Sequence, residues 1–219
     1  MKRNVLNVTN GTYFNEYFLR RFGGKALPFC EAMMDGDSTL GIYSEEFIRI
    51  RAESLSVSME EYRSKMQVYD ALKENRYDEL RLWFGKDTFC QTNLLTLLAY
   101  LEEASFGGSV VLNYVDDESC EILESDIAVP LGQYRTVYED VLIRKKLPQE
   151  IGVLSYDGIK RYFDYHSENG FLASLVKENP QMEKMPLLCK LLENSKEYGL
   201  SDRQAERIID RFRNAREEK

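Results

Sequence analysis

The chain has 219 residues, 43% of them hydrophobic and 12% aromatic, which is enough to bury a substantial core and excludes wholesale disorder. Its 29 basic and 37 acidic residues leave a net charge of −8, which argues against a protein that coats nucleic acid or an anionic membrane. The single histidine, His166, excludes zinc sites that need two or three imidazoles and histidine-rich iron sites.

Val5-Leu6-Asn7-Val8 reads as a short buried strand running into the turn Asn10-Gly11-Thr12. A helical pattern from Tyr13 to Phe22 follows, with Phe14, Tyr17, Phe18 and Phe22 on one face, and Gly23-Gly24 stops it. Lys25 to Phe29 reads as a second strand, and Glu31 to Leu40 as an acidic, glycine-containing loop. Two helices are predicted over Ser44–Leu55 and Ser58–Asn75, the second opening on the capping-box pattern Ser58-Met59-Glu60-Glu61. Leu80-Arg81-Leu82-Trp83-Phe84 is the clearest strand. Gly85-Lys86-Asp87 turns it into an apolar helix, Thr88 to Glu103, and Ser109 to Val115 is another buried strand.

This alternation predicts an α/β fold with a mainly parallel sheet, flanking helices and a ligand site at the carboxyl ends of the strands. After Tyr134 the strand signal fades. Tyr134–Lys146, Tyr156–Tyr165, Gly170–Lys177, Met182–Lys196 and Ser201–Arg216 all read as helices. The expected organisation is an α/β domain over 1–133 and a small all-helical region over 134–219. The four cysteines have no knuckle or redox spacing, and Met1-Lys2-Arg3-Asn4 does not begin a charged-then-apolar leader. A cytoplasmic protein with free thiols is the resulting expectation. The longest apolar stretch, Leu94 to Leu101, is too short to span a bilayer.

Four patches resemble a bacterial family catalogued as domain of unknown function eighteen thirty-five. Asn7-Val8-Thr9-Asn10-Gly11-Thr12 stands against a pattern of His, apolar or small residues, then Asn-Gly-Asp. Cys30-Glu31-Ala32-Met33-Met34-Asp35-Gly36 stands against Arg-Glu-x-Leu-x-x-Gly-Pro, and Phe47 with Arg51-Ala52 matches on the next helix. The most specific patch is Leu82-Trp83-Phe84-Gly85-Lys86-Asp87-Thr88-Phe89-Cys90-Gln91, against Leu-Trp-Phe-acid-x-Asp-x-Phe-Cys-Gln. The resemblance covers roughly Val5 to Val115 and reaches the last helix through Gly199-Leu200-Ser201. It implies a fold and a candidate site, with no reaction attached. Asn7, Thr12 and Cys30 depart from the family's histidine, aspartate and arginine, so chemistry carried by those groups in relatives would be lost or altered here.

Each candidate residue has a chemical and a plain reading. Asn10-Gly11-Thr12 could hold a phosphate or carboxylate on the N–H groups of a helix start, or be a simple capped turn. Asp87 is placed as N-cap for the N–H near Cys90, or as a catalytic acid/base, and Gln91 is expected to point toward the crevice of Asn10. Cys90 reads as a core thiol or, near a helix start, a nucleophile. Glu31 is the other acid/base candidate. Asp35-Gly36-Asp37 has the spacing of carboxylates that hold a divalent cation, or is an exposed turn. Arg51 could bind an anion bidentately or pair with a neighbouring acid. Asp116-Asp117-Glu118 reads as a solvated loop. Arg203, Arg207 and Arg211 could face DNA, but acids interleave them, so an ion ladder along the helix is the expected arrangement.

The leading expectation is binding of a small anionic ligand, such as a nucleotide, by Asn10, Gly11, Thr12, Glu31, Arg51, Trp83, Asp87 and Gln91 around a shared pocket. The alternatives are a hydrolase or transferase using Glu31 or Asp87, with Asp35 and Asp37 as metal candidates, and a regulatory or DNA-associated protein acting through the final helices. No cofactor is identifiable from the sequence.

Overall fold

The computed structural model describes residues 3–116 and 118–217. Met1 and Lys2 of the chain start and Asp117 of the acidic turn lie outside the described residues. Five strands form one sheet in the order β2-β1-β3-β4-β5. They are β1 (Val5–Asn10), β2 (Ala26–Phe29), β3 (Glu79–Phe84), β4 (Ser109–Val115) and β5 (Ile122–Ala128). The first four are parallel and β5 runs antiparallel to β4. The fold is thus α/β with a mainly parallel sheet, followed by helices.

Chain direction explains the layering. From β1 the chain steps to one side through α1 (Gly11–Phe22) to β2, then crosses back through α2 (Glu45–Leu55), α3 (Met59–Lys65) and α4 (Gln67–Lys73) to β3. It continues in that direction through α5 (Thr88–Glu103) to β4. Right-handed crossovers in opposite directions put α1 on one face and α2–α5 on the other. Accordingly Phe14 and Phe18 of α1 pack with Trp83 and Val115 in a small cluster, separate from the large core that holds Leu82 and Phe84.

The large core runs on into the C-terminal helices α6 (Tyr134–Tyr138), α7 (Tyr156–His166), α8 (Phe171–Glu178), α9 (Lys184–Glu193) and α10 (Asp202–Glu217). The hinge of this arrangement is α5, which is buried on every side from Cys90 to Leu101, as expected of a helix apolar all round. It lies between the sheet and α6 and α7, so the residues on either side of the expected 133/134 boundary share one core. Among the described residues no helix is long and apolar enough to cross a membrane.

Three elements differ from the sequence reading. The expected helix over Ser58–Asn75 breaks at Met66, whose φ of −102° and ψ of 34° end α3 and start α4 while its side chain stays buried. Ser58 does cap α3, accepting from the Glu61 N–H at 3.0 Å. The helix expected from Tyr134 to Lys146 is one α-turn followed by a π-helix over Glu139–Ile143. Strand β5 was not foreseen: as an exposed edge strand it shows no apolar alternation, and Asp126, at a φ of 57°, interrupts its ladder.

Candidate functional site

The ends of β1, β2 and β3 lie on one edge, so the Asn10, Glu31 and Asp87 turns come together there although 77 positions separate the first from the last in the numbering. Asn93, inside α5, ties two of them. Its Nδ2 donates to Asn10 Oδ1 (3.0 Å) and to the Glu31 carbonyl (2.6 Å), and its Oδ1 accepts from the Met33 N–H (3.0 Å). Asn10 Nδ2 in turn donates to Cys90 Sγ at 2.8 Å. These groups are buried, so the convergence is a hydrogen-bonded network and not an open pocket. Asn93 was missed in the sequence, where an amide beside Leu94, Leu95 and Leu97 of an apolar helix was its only signal.

Arg51 does not close the crevice with a free positive charge. Its guanidinium is fully buried and bonds to Glu31 Oε1 through Nη2 (3.0 Å) and Nε (3.3 Å). Its other N–H groups go to the carbonyls of Asp35 (2.7 Å), Asp37 (2.9 Å) and Ala32 (2.9 Å). Tyr62 donates its hydroxyl to Glu31 Oε2. The loop after β2 is therefore wrapped around a side chain from α2, and both Glu31 oxygens are engaged. Burial opposes the Arg51 charge, but Glu31 beside it outweighs burial and holds the guanidinium above its ordinary pKa.

The Asp35-Gly36-Asp37 turn is likewise structural on its Asp35 side. Asp35 accepts from Tyr165 Oη of α7 (2.6 Å) and from Gln204 Nε2 of α10 (2.9 Å), with Arg207 at 3.8 Å. Gly36 has a φ of 73°, and a Cβ there would sit 2.3 Å from Ser54 Cβ. Among the described residues no group of three or more His, Cys, Asp or Glu is arranged to hold a metal ion. Arg207 thus reaches another element, as does Asp210 to Lys184 (3.0 Å), and among the described residues these pairs take the place of the ion ladder expected along α10.

A cavity of about 810 Å³ lies further along the same edge, beyond β3 and β4 and under the C-terminal helices. Asp87, Asp116, Asp157 and Asp202 line it together with Lys86, Arg161 and Lys196. The cations have partners: Lys196 pairs with Glu118 at 3.0 Å, Arg161 with Glu197 and Lys86 with Glu124. Asp87 caps α5, accepting from the Cys90 N–H at 2.9 Å, and burial pushes its carboxyl above the usual range against the pull of that bonding. Gly199 covers it so closely that a Cβ would fall 2.2 Å from Asp87 Oδ1.

Gln91 turns away from Asn10. Its Nε2 donates to the Gly85 carbonyl (2.5 Å) and its Oε1 accepts from the Ser155 N–H (2.7 Å), which fixes the start of α7. Trp83 is no wall of this cavity. Alternation along β3 sends it to the α1 face, where Phe18 lies 5.1 Å away and Nε1 donates to Asn7 Oδ1 (3.0 Å).

The start of α1 is the part of the expected site left open. The N-cap Asn10 makes no side-chain cap, because its amide is spent on Cys90 and Asn93, and the first turn holds no acid. Gly11 takes a φ of 75° with nothing near its Cβ position, and Thr12 is exposed. Thr12 Oγ1 lies 3.6 Å from Cys30 Sγ, so two of the three departures from the resembled pattern touch each other.

His166 sits where α7 meets the acidic loop, its Nε2 3.0 Å from the Met34 carbonyl. Burial and then Lys145 push its pKa below 6.5, with Asp35 opposing and Arg211 adding to the shift. A lowered folded pKa contributes stability that is present above the unfolded value and lost as pH falls through the folded one. Urea unfolding is therefore expected to show stability falling as pH drops below about 6.5, with a shallower fall in His166→Asn. Equal slopes in the two proteins would refute this.

Comparison with family models, curated proteins and solved structures finds no significant match to this chain.

Proposed function

We propose that the protein binds a small anionic ligand of the nucleotide type at the carboxyl edge of the sheet. The anion sits at the start of α1, and the remainder reaches toward the cavity over β3 and β4. The observation that carries this is the uncapped, acid-free first turn of α1 beside the point where the strand order reverses, between β1 and β3. Ser44, Ser58, Asp87 and Ser155 cap α2, α3, α5 and α7 with their own side chains; α4, α6, α8 and α9 share α1's lack of such a cap, but of these five helices α1 is the one that follows a parallel strand with no residue between. The lysines and arginine of the cavity are paired, so the attraction for an anion comes from backbone N–H groups. The cavity's aspartates suit the hydroxyl and amino groups of such a ligand. Val115 lines the cavity and belongs to the same apolar cluster as Phe14 of α1.

A hydrolase or transferase is the second reading, and it rests on Asp87 alone: a carboxyl raised by burial on the wall of a cavity has the character of a general acid. Glu31 has no oxygen to spare for that role. On this reading the chain is a divergent relative of the family it resembles, with Asn7, Thr12 and Cys30 in place of its histidine, aspartate and arginine.

Thr12→Glu tests the anion site. It puts a carboxylate on the α1 N-terminus, which is expected to stabilise the ligand-free protein by about 0.3–1 kcal/mol. The same carboxylate should abolish the thermal shift produced by phosphate or nucleoside phosphates. At a hundredfold excess over Kd that shift corresponds to about 2.7 kcal/mol in the unaltered protein. If no such compound stabilises the protein, the reading falls; if Thr12→Glu responds equally, the anion lies elsewhere.

A further inference from the structure

The sheet ends on two edge strands that differ in kind. β2 has four residues, none of them exposed, and includes Pro28, which has no N–H to offer a further strand. β5 has seven residues, of which only Ile127 is half-buried and the other six are exposed. Its inner side pairs with β4, so alternate N–H and C=O groups on the outer side face solvent. Ile122 and Leu123 at this open edge are 45% and 51% exposed, and Leu123 also lines the cavity over β3 and β4.

The charge around β5 is one-sided. Asp126 pairs with Arg81 (3.1 Å), Glu118 with Lys196 (3.0 Å) and Glu124 with Lys86, which uses up the neighbouring cations. Asp116 is held by the Glu118 and Ser119 N–H groups (3.1 and 2.7 Å). Asp157 and Asp202 line the same cavity and, among the described residues, make neither an ion pair nor a side-chain hydrogen bond.

The geometry points to β5 as a docking edge for an extended basic segment of a partner protein, which adds to the sheet as a further strand and places a lysine or arginine beside Asp157 and Asp202. Main-chain bonds to the open side of β5 hold the segment, and the side chains set which segment is accepted. Residues side by side on neighbouring strands project to one face, so the residue opposite Leu123 stands next to a side chain that already lines the cavity. The apolar stem of a lysine or arginine there rests on Leu123 while its charged head reaches the carboxylates. A second copy of this chain is a poor occupant, because it would set its own Glu124 and Asp126 against the same acids. The acids that discourage self-pairing thus select a basic strand. This inference stands apart from the anion site at α1, which lies at the end of another strand.

The experiment uses the full chain in phosphate-free buffer without nucleotide, so its outcome is independent of that site. The probe is an acetylated, amidated peptide of alternating lysine and valine, matched to the seven residues of β5. Fluorescence anisotropy is expected to show it binding at least about tenfold more tightly than the glutamate–valine peptide of equal length. Asp157→Asn combined with Asp202→Asn should weaken that binding by about tenfold, the effect of two solvated ion pairs at the upper end of their range. Methylating the backbone nitrogens of the lysine peptide should abolish binding, since it removes the donors of the added strand and keeps every charge. Hydrogen exchange should show amides within Ile122–Ala128 gaining protection when the peptide is present. Equal binding of the two peptides, an unchanged affinity in the double variant, full binding of the methylated peptide, or no protection along β5 would each overturn the proposal. So would sedimentation showing a dimer of the chain that the peptide fails to dissociate and in which β5 is already protected.

Discussion

Arg51→Met is expected to cost about 3–5 kcal/mol of folding stability, the loss typical of removing one member of a buried ion pair. The magnitude follows from what stays behind. Glu31 is 1% exposed and would keep only the Tyr62 hydroxyl and its bond to the Ala32 N–H. The carbonyls of Ala32, Asp35 and Asp37 would each lose their guanidinium donor. Tyr62 cannot relieve the charge by giving up its own proton, because burial and Glu31 push that phenol far up. Adding Glu31→Gln to Arg51→Met removes the stranded charge and should return part of the loss, but the carbonyls remain unpaired. Urea unfolding measures both steps. A loss under about 1 kcal/mol in Arg51→Met would mean that water replaces the guanidinium and that this network is not what holds the loop.

The same network marks what the sequence could and could not disclose. Asp87 and Ser58 were legible as caps because a cap is local: the acceptor and its N–H lie three residues apart, and both bonds form as expected. The parallel sheet was legible because strand and helix periods alternate through Val115. The partner of Arg51 was not, since Glu31 stands twenty residues earlier on another element and a free arginine looks the same on paper as a paired one. Trp83 could have been assigned better. Leu82 and Phe84 flank it, and period-two alternation sends it to the opposite face from both. The grouping of Asn10, Glu31 and Asp87 on one edge follows from parallel topology, but whether that edge is open or filled depends on Asn93, Gln91 and the helices after Tyr134. Those helices dock on α5 through shape: Gly158 comes so near that a Cβ would lie 2.8 Å from Gln91 Cγ. Close approach of this kind leaves no periodic signal in the chain.

Glu102→Ala is expected to cost about 2–3 kcal/mol, although Glu102 is neither in the core nor near the candidate site. Its carboxylate, at the end of α5, accepts four consecutive backbone N–H groups. Gly132, Gln133 and Tyr134 donate to Oε1 at 2.6, 2.9 and 2.8 Å, and Arg135 donates to Oε2 at 2.9 Å. They include the orphan donors at the start of α6, whose N-cap Gln133 provides no side-chain cap of its own. A carboxylate from one helix thus replaces the missing cap of the next, and its charge suits the positive end of that helix. The cap also fixes Tyr134, which is fully buried and whose hydroxyl accepts from the Val153 N–H at 3.3 Å. Because Glu102 is half-exposed, water can reach part of the vacated site, which keeps the expected loss below that of Arg51→Met. Glu102→Gln retains one oxygen acceptor and loses the charge, so it should fall between Glu102→Ala and the unaltered protein. Hydrogen exchange gives the local reading: the amides of residues 132–135 should lose protection in Glu102→Ala while those of α5 keep it. Unchanged protection there, with a stability change under about 0.5 kcal/mol, would show that α6 is held by the burial of Tyr134, Val137 and Tyr138 alone.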